Sequence, residues 1–157
     1  MRYKYIILFF CITGFLNAQS VKDSLLLLLK KHPIQDTVRC DLLLKLIEEE
    51  EEDKIWMGYN SEMEAISFSN LKLNNNLQKT YKKYYASALY NKSYFYSISI
   101  KYEDAISAAK QALSIHRELN NDVAIAGDLN IIANNSYKLG KIDEALNYYK
   151  QAIDLSK

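Results

Sequence analysis

Turn-forming residues are scarce: one proline and four glycines stand in 157 residues. An all-β chain needs such residues at every hairpin, so their scarcity points to long helices with short connections. Cysteine is nearly absent. Cys11 sits in an apolar N-terminal stretch that reads as removable, which leaves Cys40 alone and excludes a disulfide scaffold. Cys40 falls in an apolar helical pattern and reads as a small buried hydrophobe. The two histidines, His32 and His116, stand in no metal-ligand spacing, and His116 lies on a helix rich in polar residues that read as exposed. No metal and no cofactor are expected. P-loop, dinucleotide and G-x-S-x-G patterns are all missing, so no catalytic residue is assigned and the chain reads as non-enzymatic. A formal charge of +1 supplies no clustered basic surface, which argues against a nucleic-acid partner.

What is present begins with a targeting pattern. Arg2 and Lys4 precede an apolar stretch at residues 6–16, and Ala18 offers a small residue for cleavage. Residues 1–18 therefore read as a signal peptide, and the remainder as exported to a bacterial periplasm or cell envelope. The stretch is shorter than the roughly 20 residues a membrane span needs. A buried N-terminal helix is the competing reading. Leu8, Phe9 and Phe10 before Cys11 do not make a lipid-attachment site.

An internal repeat with a period of 40 follows. Tyr102-Glu103-Asp104-Ala105-Ile106 aligns with Ile142-Asp143-Glu144-Ala145-Leu146. Lys110-Gln111-Ala112-Leu113 aligns with Lys150-Gln151-Ala152-Ile153, and Leu89 with Leu129. A fainter third register runs through Ala65 and Leu73. Each unit reads as a helical hairpin. In the last, Asp122 is expected to cap a helix carrying Val123, Leu129, Ile132 and Ala133, and Gly140 to end it in a left-handed turn. Ala105 and Ala112, like Ala145 and Ala152, are seven apart, and their small side chains let a second helix come close. No such hairpin buries its apolar stripe alone, so the units must stack.

The expected divisions are a Leu-rich leading helix at 19–35, a degenerate hairpin at 36–80, and hairpins at 81–121 and 122–157. Five successive leucines at 25–29 cover every face of a helix and demand burial. The acidic run at 48–53 reads as a solvated helix end, offset by Lys45–Glu49 and Glu50–Lys54 pairs. Trp56, Met57 and Gly58 are expected to interrupt the first unit and lengthen its connection.

These positions resemble the tetratricopeptide repeat family, specifically over residues 86–157 and weakly over 36–80. Leu129, Ala133, Gly140, Ala145, Tyr149 and Ala152 fit its pattern in the last unit; Leu89, Ala105 and Ala112 do so in the middle one. Ala109 stands where the family has an aromatic residue, and Ile100 where it has the turn glycine. The resemblance implies an all-α fold, a right-handed superhelical stack of antiparallel hairpins, serving protein–protein interaction. The exported start is also similar to N-terminal repeat regions of bacterial sensor kinases and transcription regulators.

Seven tyrosines fall between Tyr81 and Tyr102. In the family the first helix of each hairpin lines a concave groove. That implicates Tyr90, Tyr94, Asn130, Asn134 and Tyr137 in holding a peptide or protein partner; packing between helices is the competing reading for the tyrosines. Two functions stay open: an exported interaction module, or the sensory region of a longer signalling protein. A membrane-anchored complex, and self-association through the last helix, are further expectations.

Overall fold

A computed structural model of the chain describes residues 21–73 and 76–155. The expected signal peptide lies outside the described residues. Seven helices follow one another, with no strand among the described residues: α1 (21–31), α2 (Thr37–Glu49), α3 (Asp53–Asn70), α4 (Gln78–Ile98), α5 (Tyr102–Glu118), α6 (Asp122–Lys138) and α7 (Ile142–Asp154). From α2 onward each helix packs against the next, which makes three hairpins in a helical solenoid.

Short connections dictate the antiparallel pairing. Those within the hairpins occupy residues 50–52, 99–101 and 139–141, and the one between the last two hairpins occupies 119–121. The last three turns have the same form. Ile100, Asn120 and Gly140 each take positive φ just past a helix end. The amide of the next residue bonds back into the helix: Lys101 to the Tyr96 carbonyl, Asn121 to His116 and Lys141 to Ser136, at 2.9–3.0 Å. The positive-φ residues donate to Ser97, Arg117 and Tyr137, which completes a Schellman motif at each turn. Three such turns spaced 20 residues apart set the 40-residue period.

Caps and charges fix other boundaries. The Asp36 carboxylate accepts the Arg39 amide at 3.0 Å and starts α2. Arg39 then reaches across to the Leu29 and His32 carbonyls at 3.1 and 2.7 Å, where α1 ends, and to Glu62 on α3. One guanidinium thus ties three helices together. Asn121, one residue earlier than expected, caps α6 by accepting the Ala124 amide at 3.2 Å; Asp122 sits inside the first turn instead.

The first hairpin departs from its expected outline. Trp56, Met57 and Gly58 lie within α3, and the chain breaks at residues 50–52. The acidic run spans the turn between two helices. Negative charge opposes the C-terminus of α2 and favours the N-terminus of α3, so the break falls inside the run. Its pairs differ too: Lys45 meets Asp41 at 2.9 Å, and Glu50 meets Lys22 of α1 at 2.6 Å. The extra connection length lies instead between α3 and α4, at 71–77, where Leu73 is exposed rather than in a repeat position. In α1, Leu25, Leu26 and Leu29 are half-buried while Leu27 and Leu28 are exposed, so the leucine run is covered on one side only.

Two apolar clusters form the core. One joins Cys40, Leu43, Met63, Ile66, Tyr81 and Ala88 across α2, α3 and α4. The other joins Ile106, Ala109, Leu113, Ile125, Leu129, Ile132 and Ala152 across α5, α6 and α7. Ala105, Ala112, Ala133, Ala145 and Ala152 are all buried, as the close helix approach requires, and Leu89 and Leu129 are buried beside them. Val123, expected on the apolar face of α6, is exposed.

Candidate functional site

The curvature of the stack follows from which helices touch. Backbones of α2 and α4, and of α4 and α6, come into contact. Among the described residues those of α3 and α5, or α5 and α7, do not; Lys110 of α5 meets Glu144 of α7 only through extended side chains, at 3.5 Å. The row of first helices is therefore the shorter, inner row. Its outward-facing positions are the candidate interaction surface.

Helix α4 occupies the middle of that row, and its tyrosines divide among its neighbours. Tyr81 is buried against the Cys40 cluster. Tyr84 is half-buried against the same cluster and feels the charge of Asp41 on α2. Tyr85 packs on Phe68 of α3, ring centroids 5.3 Å apart. Tyr96 lies beside Phe95 and carries Lys101 Nζ 5.8 Å above its ring. Tyr90 turns toward α6, where Gly127 leaves room: a Cβ there would stand 3.3 Å from the Tyr90 ring. Burial pushes the Tyr81, Tyr84, Tyr85 and Tyr90 hydroxyls above the ordinary tyrosine value. Most of the cluster thus wedges helices together. Tyr94, half exposed at 52%, is the tyrosine of α4 that presents its ring to solvent.

On α6, Asn130, Asn134 and Tyr137 are all exposed, at one helical face by their spacing of four and three. Shifted by 40 residues, Asn130 corresponds to Tyr90 and Asn134 to Tyr94. Asn134 is not wholly free, because its Oδ1 accepts the Tyr149 hydroxyl of α7; its amide hydrogens remain available. The exposed groups on these two helices are two phenol rings, Tyr94 and Tyr137, and two amides. Tyr90 is half-buried between α4 and Gly127 of α6.

Sequence reasoning missed two buried polar arrangements that hold this surface in place. His116, expected among exposed residues, is 5% exposed, and its Nδ1 meets Asp128 Oδ2 at 2.6 Å across the α5–α6 contact. Burial raises the Asp128 carboxyl above its usual range, against the opposing pull of His116. The signal was an Asp set between Gly127 and Leu129 in an apolar helix, which burial permits only with a partner. Second, Asn60 is fully buried on α3; it donates to the Ala88 carbonyl and accepts from Asn91, both at 3.0 Å. That pair fixes α3 against α4.

No group of three or more metal-ligating side chains occurs among the described residues, and no helix there is long and apolar enough to cross a membrane. Residues 129–157, most of the last hairpin, match a family model described as tetratricopeptide repeat. No curated protein and no solved structure matches the chain. Repeats of this family serve protein–protein interaction, and the last hairpin is similar to them.

Proposed function

We propose that this chain is an exported protein-interaction module that holds a peptide or protein segment along its inner helix row. Tyr94, Tyr137, Asn130 and Asn134 make the contacts, and Tyr90 supports them from below. The observation that carries the reading is the exposure of Tyr94 on α4 and of Asn130, Asn134 and Tyr137 on α6, two helices that touch in the inner row. Rings give rigid contact area, and amides bond an extended backbone through both donor and acceptor. Export rests on the basic, apolar and small residues of positions 2–18. The same surface would serve as the sensory part of a longer signalling protein.

The test is capture of partners from a cell-envelope extract, followed by paired variants. Tyr94→Ala with Asn130→Ala is expected to weaken capture at least about tenfold, or about 1.4 kcal/mol, with helicity unchanged. Asn134 is avoided because its bond to Tyr149 mixes packing with binding. Lys110→Ala with Lys150→Ala, on the second helices, is expected to leave capture intact. The reverse result would move the interaction to the outer row.

A further inference from the structure

Helix α7 carries a second surface, which touches the inner row where the Tyr149 hydroxyl bonds Asn134. Ile142, Leu146 and Ile153 are 47%, 61% and 57% exposed, and half-buried Tyr149 completes their line. The same positions one period earlier are Tyr102, Ile106, Ala109 and Leu113 of α5. There Ile106, Ala109 and Leu113 are buried in a cluster with Ile125, Leu129 and Ile132 of α6. In this fold, then, that stripe is a seat for a helix.

We propose that the occupant is α7 of a second copy of this chain, packed antiparallel about a twofold axis. Two features of the stripe select this partner. Its spacing of four, three and four is unchanged by reversal, so Ile142 meets Ile153 and Leu146 meets Tyr149 of the other copy, twice over. Such self-complementarity closes a dimer. The flanking charges agree. Asp143 and Lys150 are exposed on the same edge of the stripe, seven residues apart, and neither has an ion-pair partner among the described residues. An antiparallel copy brings each Asp143 beside the other's Lys150, whereas a parallel copy turns this edge toward the other copy's opposite edge, where the two charges find no such partner.

The experiment is sedimentation of the purified chain, as it accumulates in cells, across the micromolar range with helicity monitored in parallel. A concentration-dependent dimer is expected. Leu146→Glu is expected to weaken it at least about 100-fold, as for a central interface residue, with thermal unfolding of the monomer unchanged because Leu146 is exposed. Lys150→Asp is expected to weaken it several-fold by facing Asp143 of the other copy, and adding Asp143→Lys to restore it. A monomer at every concentration, or a dimer indifferent to Leu146→Glu, overturns the proposal and leaves the stripe to another helix. A charge reversal that fails to restore the dimer overturns the antiparallel arrangement. Partner capture by the inner row is read separately and stands or falls by itself.

Discussion

Ile100 and Gly140, one repeat period apart, hold the same left-handed backbone at the turns of successive hairpins, with φ of 63° and 75°. For glycine this conformation is free of steric cost; for a β-branched residue it costs about 1–2 kcal/mol. Glycine in turn loses about 0.5–1 kcal/mol in chain entropy. Steric relief exceeds that loss, so Ile100→Gly is expected to stabilise the fold by roughly 0.5–1 kcal/mol. The side chain is 73% exposed and contributes little burial to set against this. Chemical denaturation checks it, and a destabilised variant would show that Ile100 makes contacts worth more than its strain. Gly140→Ala is expected to cost about 1 kcal/mol, because no atom crowds the new Cβ and the backbone alone is at issue.

His116 and Asp128 test a different balance. Asp128 Oδ1 already lacks a partner, so His116→Ala leaves a fully buried carboxylate with neither oxygen bonded. The expected cost is about 3–5 kcal/mol at neutral pH. Asp128→Asn removes the charge and is expected to cost less. The sign with pH follows from the raised carboxyl: without His116 the folded state binds the Asp128 proton more tightly than the unfolded chain does. Stability of His116→Ala should then rise as pH falls from neutral toward the ordinary carboxylate value, about 4. Denaturation midpoints across that range decide it, and a flat or opposite difference from wild type would remove Asp128 from the account.

Gly127 sets the Tyr90 ring within the inner row. Alanine there gains about 1 kcal/mol of helix propensity. Its Cβ, 3.3 Å from the ring, asks the half-buried Tyr90 to yield a few tenths of an ångström. The propensity gain outweighs so small an adjustment, so Gly127→Ala is expected to be neutral or stabilising. Gly127→Leu needs a far larger displacement of the ring and is expected to cost about 1–3 kcal/mol. Equal melting temperatures for the two variants would show that Tyr90 swings aside freely.

The hairpins were legible in the sequence because small residues and turns recur at fixed spacing. Ala105 and Ala145 mark close helix contacts, and Gly140 marks a helix end, whatever surrounds them. The left-handed Ile100 shows how strongly that frame governs the chain: the period, and not the residue's own preference, decides its backbone. Single-residue boundaries were less legible. Asn121 and Asp122 are both good caps, and only the Schellman turn at Asn120 selects the first. The break in the acidic run was hidden because Glu48–Glu52 has uniform helix propensity but opposite relations to two helix dipoles. For the site, sequence spacing placed Tyr94, Asn130, Asn134 and Tyr137 on exposed positions of adjacent helices. It could not separate Tyr94 from the tyrosines that wedge α4 against its neighbours, since ring size alone does not say which neighbour is near. The His116–Asp128 pair joins residues on different helices, a relation that no local pattern carries.

The two cysteines offer a check on both packing and processing. Cys40 is fully buried, and desolvation, with smaller contributions from Asp36 and Glu62, pushes its thiol up to about 12. At pH 8 about one molecule in ten thousand would hold a thiolate there, and reagent has no path to it without unfolding. The native protein is therefore expected to show no rapidly reacting thiol from this position. In denaturant the count depends on residues 1–18, because Cys11 lies within them. A chain that has lost that segment yields one thiol, and a chain that keeps it yields two. We expect one from protein recovered from the cell envelope, with a mass corresponding to a start near Gln19. Two thiols in denaturant would show that the segment is retained and would remove the export half of the proposal. Rapid native reaction in a one-thiol chain would instead show that Cys40 is reachable, and would contradict the packing of α2 against α3 and α4.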